Sequence, residues 1–409
     1  MSATAHPARP LKADAQLIGL VGLAHAISHF MQLVLAPLFP WIKDDFGVSY
    51  TELGAVLTVF FVVSCAVQAA SGFIVDKIGP RPVLFTGLGL LSVAAIGYAL
   101  APTYWVLLFC AGIAGVGNGV FHPVDYTLFN RKVAPTRLGH AYSVHGITGS
   151  LGWALAPAFV VPLAMAYSWR VALASAGVLA FVVLAILWLY RSVLSLDANT
   201  VHKATGQGAA AGGELDFLRI PAVWMCFGFF FFYAMVISVV QTFAPTAAAH
   251  LHDVPVTLIA VCLTAYMVAS ALGMVAGGFL ASDPARCERV VGIGFGLAAA
   301  FAVLLAVGDF TPLLVPVLFG AMGFASGIAG PSRDLLVKRS TPPNASGRVY
   351  GVVYAGLDIG QAVAPLVFGR LMDHGQYRSV ILGLAVVQAV LIASALNVQR
   401  VRRTALAPT

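Results

Sequence analysis

Few residues in this sequence are able to do chemistry. His25 and His29 are four positions apart, so on a helix they share one face. His122 and Asp125 are three apart, with Asn118 one turn earlier, and His145 follows in the next apolar run. Asp358 sits in the middle of an apolar run, and Arg333 with Asp334 lies near the end of another. Desolvation and neighbouring charge both alter how tightly a carboxyl or an imidazole holds its proton. A His–Asp pair in a cavity that opens and closes therefore changes proton affinity with conformation. On this basis Asp125, with His122 and His145, is the expected proton site, and Asp358 is a second. The same residues could equally form a fixed ion pair or interhelical hydrogen bond that latches one closed state. His25, His29 and Asn118 are expected to touch a substrate. With His122, His145 and Asp125 the two helix 1 histidines also have the donor types of a metal site, although the recognisable spacing of a closed site is missing. Arg333 suits a carboxylate or phosphonate; the alternative is a local pair with Asp334 or a contact with lipid headgroups. Tyr233, Gln241 and Tyr266 are expected in a cavity wall or in plain packing.

The elements that carry these groups follow from composition. The chain has 409 residues, 60% hydrophobic and 10% charged, with a mean hydropathy of +0.91. Soluble domains carry about a quarter charged residues. One core could not hide so much apolar surface from water, so a soluble enzyme and a disordered chain are both excluded. Apolar runs fall at about 15–40, 50–75, 82–100, 104–129, 139–163 and 169–190, then at 221–247, 255–281, 290–308, 312–337, 349–369 and 377–397. Each is long enough to cross a bilayer. Each must be helical, because lipid offers no partner to backbone N–H and C=O groups, and the runs are too long and continuous for the strands of an outer-membrane barrel. The reading is an all-α polytopic membrane protein of twelve transmembrane helices. It has an N-terminal six-helix half at 1–190, a linker at 191–220 and a C-terminal six-helix half at 221–409.

Net charge is +7, and its placement explains it. Of 23 Lys and Arg residues, 19 fall in the termini, the linker and the loops of one side; only Lys43, Arg170, Arg370 and Arg378 fall on the other. The positive-inside rule puts both termini and the linker in the cytoplasm, with the protein multi-pass in an inner or plasma membrane. No nucleic-acid partner is needed to account for the charge. The apolar run after Arg9 and Lys12 reads as a retained first helix, since it is too long for a signal-peptide core. Cys65, Cys110, Cys226 and Cys262 lie in apolar runs and Cys287 in a loop, with no CxxC spacing, so no disulfide is expected. There is no P-loop, no HExxH and no Ser/His/Asp grouping. No enzyme activity and no cofactor are expected.

The two halves repeat. Sliding residues 112–157 forward by 208 without a gap gives fourteen identities in 46 positions. Gly115, Gly119, Pro123, Arg131, Gly152 and Pro157 meet Gly323, Gly327, Pro331, Arg339, Gly360 and Pro365. A parallel repeat implies a pseudo-two-fold axis along the membrane normal and a site near the midplane where the halves meet. The matched glycines also let helix backbones approach closely.

The loop after the second run reads Gly72-Phe73-Ile74-Val75-Asp76-Lys77-Ile78-Gly79-Pro80-Arg81. It resembles the signature loop of the major facilitator superfamily, at the expected place between helices 2 and 3. The resemblance extends, through the twelve runs and the repeat, over the whole chain. His25 and His29, with Phe121-His122-Pro123 in the fourth run, resemble the fosmidomycin-resistance branch, which implies export of a small, often anionic, compound. Gly152-xxx-Ala156-Pro157 is similar to a motif of proton-coupled drug exporters. The superfamily resemblance implies that helices 1, 4, 7 and 10 line a cavity and that Gly72, Asp76, Lys77, Gly79 and Arg81 act in gating, through charge contacts that hold the outward-facing state. The alternative for those charges is simple membrane anchoring.

The function expected is therefore secondary transport of a small organic solute by alternating access, proton-coupled, with efflux ahead of uptake. The partners are the solute, protons and the lipid bilayer, and a monomer is expected. The alternatives are a proton-coupled uptake symporter for a small anionic solute and, in a different class, a non-transporting membrane sensor on the same fold.

Overall fold

The computed structural model describes residues 10–196, 221–280, 287–340 and 347–405, apart from the side chains of a few of them, Asp76 and 333–354 among these. The linker segment 197–220 lies outside the described residues. In chain order the helices are α1 (Leu11–Leu33), α2 (Phe39–Phe46), α3 (Tyr50–Ile78), α4 (Pro80–Leu100), α5 (Tyr104–Asn118), α6 (Phe121–Lys132), α7 (Leu138–Ala166) and α8 (Trp169–Leu189). They continue as α9 (Pro221–Thr242), α10 (Ala244–His252), α11 (Val256–Leu280), α12 (Cys287–Val307), α13 (Leu314–Ser340), α14 (Gly347–Asp373) and α15 (Tyr377–Ala405). Among the described residues ten segments are long and apolar enough to cross a membrane. At 27 and 29 residues α14 and α15 are also long enough, which completes the twelve of a two-half layout. Large apolar side chains such as Trp105, Phe109, Phe181 and Phe279 point outward, as lipid-facing residues should.

Three of the twelve runs are broken helices, and proline is at each break. The first run divides at Ala36–Leu38, a 3-10 turn that contains Pro37, before α2 begins with Pro40 in its first turn. The seventh divides at Phe243, with Pro245 opening α10. The fourth divides between α5 and α6 at Gly119 and Val120. Pro123 has no N–H to give to the Gly119 carbonyl four residues back. That carbonyl accepts instead from Ser71 Oγ on α3, at 3.2 Å. A buried backbone acceptor is thus satisfied from a neighbouring helix, and His122 and Asp125 are set in the opening turns of a new helix.

The contacts divide the chain into two compact units: Met1–Leu35 with Val63–Ala156 and Leu163–Ala209, and Ala36–Val62 with Pro157–Pro162 and Ala210–Thr409. In the first unit α4 packs on α8 and α5, and α1 on α8 and α6, around buried Leu84, Leu88, Leu107, Leu173 and Ala176. Its helix ends are pinned by charges. Arg137 donates through Nε (2.7 Å) and Nη2 (2.6 Å) to Oδ2 of Asp14, which is fully buried. Lys132 Nζ donates to the Val193 and Ser195 carbonyls at 2.7 Å each. Arg170 closes the end of α4 by donating to the Ala99 and Ala101 carbonyls at 3.1 and 2.7 Å. At this last place a basic group meets the C-terminal carbonyls of a helix and complements its dipole.

In the second unit α11 packs on α13, α9 on α14, and α12 on α13 and α15. Phe229, Phe230, Phe295 and Leu391 form a buried cluster there. The first turns of α3 belong to this unit and lie along α14: Thr58 Oγ1 donates to the Ala362 carbonyl at 2.6 Å, and Asp373 binds the α3 N-terminus.

The repeat is visible as packing. A Cβ on Gly119 would strike the Ser64 carbonyl of α3, and one on its counterpart Gly327 the Ser270 carbonyl of α11. A Cβ on Gly152 would strike the Ala26 carbonyl of α1, and one on Gly360 the Phe231 carbonyl of α9. Matched glycines set matched helix-to-helix distances within each unit.

Candidate functional site

The site begins with the one-turn spacing on α1, where the His25 and His29 rings lie 4.3 Å apart. Helix α7 reaches that face because Gly152 lets its backbone approach Ala26, and because Gly149 leaves room for both imidazoles: its Cβ would fall 2.9 Å from His25 Nε2 and 3.2 Å from His29 Cε1. One turn before Gly149, His145 stacks on His25 with centroids 3.5 Å apart and planes at 23°. Helix α6 adds Asp125, completely buried. Its Oδ2 is 3.0 Å from His145 Nε2. His25 Nδ1 approaches the same oxygen to 3.2 Å, without hydrogen-bond alignment. His122, also from α6, stands 5.5, 6.3 and 6.0 Å from the rings of His25, His29 and His145. Its Nδ1 is 2.9 Å from Gln68 Oε1 on α3, which orients the ring.

Aromatic side chains enclose the group. Trp153 packs 4.3 Å from His29 and donates its indole N–H to Gln32 Oε1 at 2.8 Å. Tyr126 and Phe129 flank His145 at 5.4 and 5.8 Å. Three buried polar atoms at the centre, Asp125 Oδ1, His25 Nδ1 and His29 Nδ1, have no hydrogen-bond partner among the described residues. A buried carboxylate must be protonated, paired or bound to a metal. Here it is ringed by imidazoles, each able to carry one proton and to donate or accept. The centre can take up and release a cation, and it can hydrogen-bond a polar solute. Donor atoms of two triads, His25/Asp125/His145 and His25/His29/His122, lie within 4.8 Å of one another.

Sequence spacing pairs His25 with His29 and His122 with Asp125; the structure brings both pairs and His145 into this one centre. Asn118 takes a different place, donating from Nδ2 to Ser64 Oγ at 2.8 Å and bracing α5 to α3. In the second unit Asp358 and Tyr266 are buried, and Tyr233 packs edge-on to Phe295 at 6.2 Å. Gln241 is buried, its Nε2 without a partner among the described residues, and lines a cleft with Trp41, Pro157, Thr242, Thr246 and Leu263. At the signature loop Gly79 has φ +85° and caps α4, with Pro80 as the first helical residue. Glycine adopts this positive φ without the steric cost that a side chain would bring, and Pro suits the first helical position. Lys77 is exposed, while Gly72 and Arg81 are half-buried. The side chains of Asp76 and Arg333 lie outside the described residues.

Four contributors escape a reading of the sequence. Gln68 carries a signal, as a lone amide among apolar residues of its helix; Gln32 and Trp153 resemble ordinary wall residues. Gly149 becomes meaningful only once α1 and α7 are known to touch.

Twelve membrane-spanning helices in two repeated halves, one of which holds a buried polar centre, are an architecture of membrane transport. A model of the Major Facilitator Superfamily matches residues 21–281 and 227–408, and the chain belongs to that family. It is 30% identical over 139 residues to the MFS-type transporter YfnC of Bacillus subtilis (strain 168), a match spanning 34% of each chain. It is 24% identical over 353 residues to the fosmidomycin resistance protein of Escherichia coli (strain K12), covering 77% of this chain and 84% of that one. Its fold is similar to the crystal structure of a bacterial homologue of the human lysosomal transporter Spinster in an inward-facing, occupied conformation. The TM-score is 0.75 at 14% identity, over 96% of this chain and 98% of the other.

Proposed function

We propose that this transporter moves a small organic solute by alternating access, coupled to protons through Asp125, and works in the direction of export. The observation that carries the coupling is the single buried carboxylate oxygen approached by two imidazoles, His145 at 3.0 Å and His25 at 3.2 Å. Opening the centre to water on one side and closing it on the other changes its desolvation and its neighbours, and so its hold on the proton. His122 passes protons to or from the pair, and Asp358 is a second protonation point. His25, His29 and Arg333 contact the solute, and Gln241, Tyr233 and Tyr266 are further wall residues. Similarity over most of its length to a fosmidomycin resistance protein supports export of a small anionic compound.

In this reading residues 1–190 and 221–409 rock about the linker, and the protein acts as a monomer in the inner or plasma membrane. The 19-to-4 distribution of basic residues favours cytoplasmic termini. Asp76 and Arg81, framed by Gly72, Lys77 and Gly79, hold the cytoplasmic side shut in the outward-facing state. The test is reconstitution in proteoliposomes containing a pH dye, with a screen of small anionic solutes. Solute-dependent proton movement is expected. Transport of a solute with no proton movement overturns the coupling.

A further inference from the structure

We propose that His25, Asp125 and His145, backed by His29 and His122, form a site for one divalent transition-metal ion of the zinc class, and that the bound ion arrests the transport cycle. The regulatory part rests on the reading of Asp125 as the coupling centre; the site itself rests on geometry alone.

Zinc holds imidazole nitrogen and carboxylate oxygen at about 2.0–2.2 Å, so neighbouring ligands in a tetrahedral shell stand about 3.3 Å apart. Asp125 Oδ2 is 3.0 Å from His145 Nε2 and 3.2 Å from His25 Nδ1, and all three donors lie within 4.8 Å of one another. The His25 contact lacks the alignment of a hydrogen bond: the nitrogen is near the oxygen without aiming an N–H at it, as two ligands of one ion would be. The unpartnered Asp125 Oδ1 leaves the carboxylate a second oxygen for the ion. A second triad, His25/His29/His122, adjoins the first with donors inside the same limit. It holds the unpartnered His29 Nδ1, which offers a further ligand. The Gln68 contact to His122 Nδ1 is the kind of outer contact that orients a ligating imidazole. Imidazole donors favour zinc, copper, nickel and cobalt over magnesium or calcium. A dication here would occupy the oxygen and nitrogens that the proton cycle needs free.

The test uses the full-length protein, purified and stripped with chelator, then titrated with Co2+ alone. One equivalent is expected to bind with the visible absorption of four-coordinate cobalt, and to be displaced by one equivalent of Zn2+. His145→Gln and Asp125→Asn should each weaken binding by at least about tenfold. His250→Gln should leave it unchanged, because His250 stacks on Tyr377 in the other unit. Wild-type protein that gives no such spectrum, or variants that bind as tightly as wild type, overturn the site. Zn2+ should also suppress proton-coupled flux in chelator-washed proteoliposomes; bound Zn2+ with unaltered flux overturns the regulatory role. The two readings fail separately: a protein that binds Co2+ but shows no coupled flux even after chelator has removed all metal sinks proton coupling and keeps the site, whereas coupled flux without metal binding does the reverse.

Discussion

The carboxylate of Asp373 closes the open end of the helix that begins at Tyr50. Its Oδ1 accepts the Tyr50 N–H at 2.6 Å, and its Oδ2 accepts the Thr51 N–H at 2.9 Å. The two residues are 323 positions apart. An N-terminus presents unsatisfied N–H groups and a partial positive charge; here Ser49 Oγ accepts the Glu52 N–H at 3.1 Å as a local cap, and a carboxylate from α14 satisfies the two N–H groups that this cap leaves open. Asp373→Ala is expected to lower stability in detergent by about 1 kcal/mol, read as a drop in melting temperature. Asp373→Asn, which keeps one acceptor oxygen, should lose less. Equal losses would mean that the carboxylate's charge and second oxygen matter more than its geometry.

Replacing Asp125 by Asn preserves size and removes the charge. We expect the variant to fold, to bind solute and to exchange it across the bilayer, while proton-driven accumulation is lost. Solute counterflow and the pH dye, measured on the same vesicles, separate the two. Full coupled transport by Asp125→Asn would move the proton site elsewhere, with Asp358→Asn the next variant to measure.

The matched glycines make a prediction in pairs. Gly152→Ala and Gly360→Ala each push a methyl group into a backbone carbonyl, of Ala26 and Phe231 respectively. Overpacking of this kind costs about 1–3 kcal/mol. Gly146→Ala on the same helix as Gly152 meets nothing within 4 Å and should be neutral or slightly stabilising. Thermal unfolding of the three variants decides it. Indifference to Gly152→Ala would show that α1 and α7 do not approach as described.

Asp14 and Arg137 join the start of α1 to the turn before α7. Asp14→Asn is expected to destabilise by about 2 kcal/mol, the loss of a charge-assisted hydrogen bond to a buried acceptor. Arg137, 26% exposed, keeps access to water, which limits the loss. A double-mutant cycle with Arg137→Gln should show that the effects do not add.

The class and the number of spans were legible because lipid imposes them, and the internal repeat because its identities stay in register. Long apolar runs and lopsided loop charge are properties of single segments, and glycines in register survive comparison by sliding. The helix breaks were less legible. Pro123 marks one, but its consequence at Gly119 depends on Ser71 from another helix. The site was readable as two pairs, since His25/His29 and His122/Asp125 follow helical periodicity. Their grouping with His145 is expected from residue type alone; no spacing supplies its geometry, which needs the approach of α7 to α1. Arg137 illustrates the limit from the other side. Its place in a basic loop reads as orientation alone, yet it bonds to Asp14, 123 residues away. No local pattern announces such a partner.

The repeat carries a final consequence. Shifted by 208 positions, His122, Asp125 and His145 fall on Gly330, Arg333 and Val353. The glycines that set helix spacing recur in both copies, but these three side chains do not. Duplication has kept the frame and let the chemistry diverge. The chain is therefore chemically lopsided: one copy carries the histidines and the aspartate, and its twin carries glycine, arginine and valine at the matching positions. Grafting His, Asp and His onto 330, 333 and 353 would restore a symmetry that the working protein has abandoned.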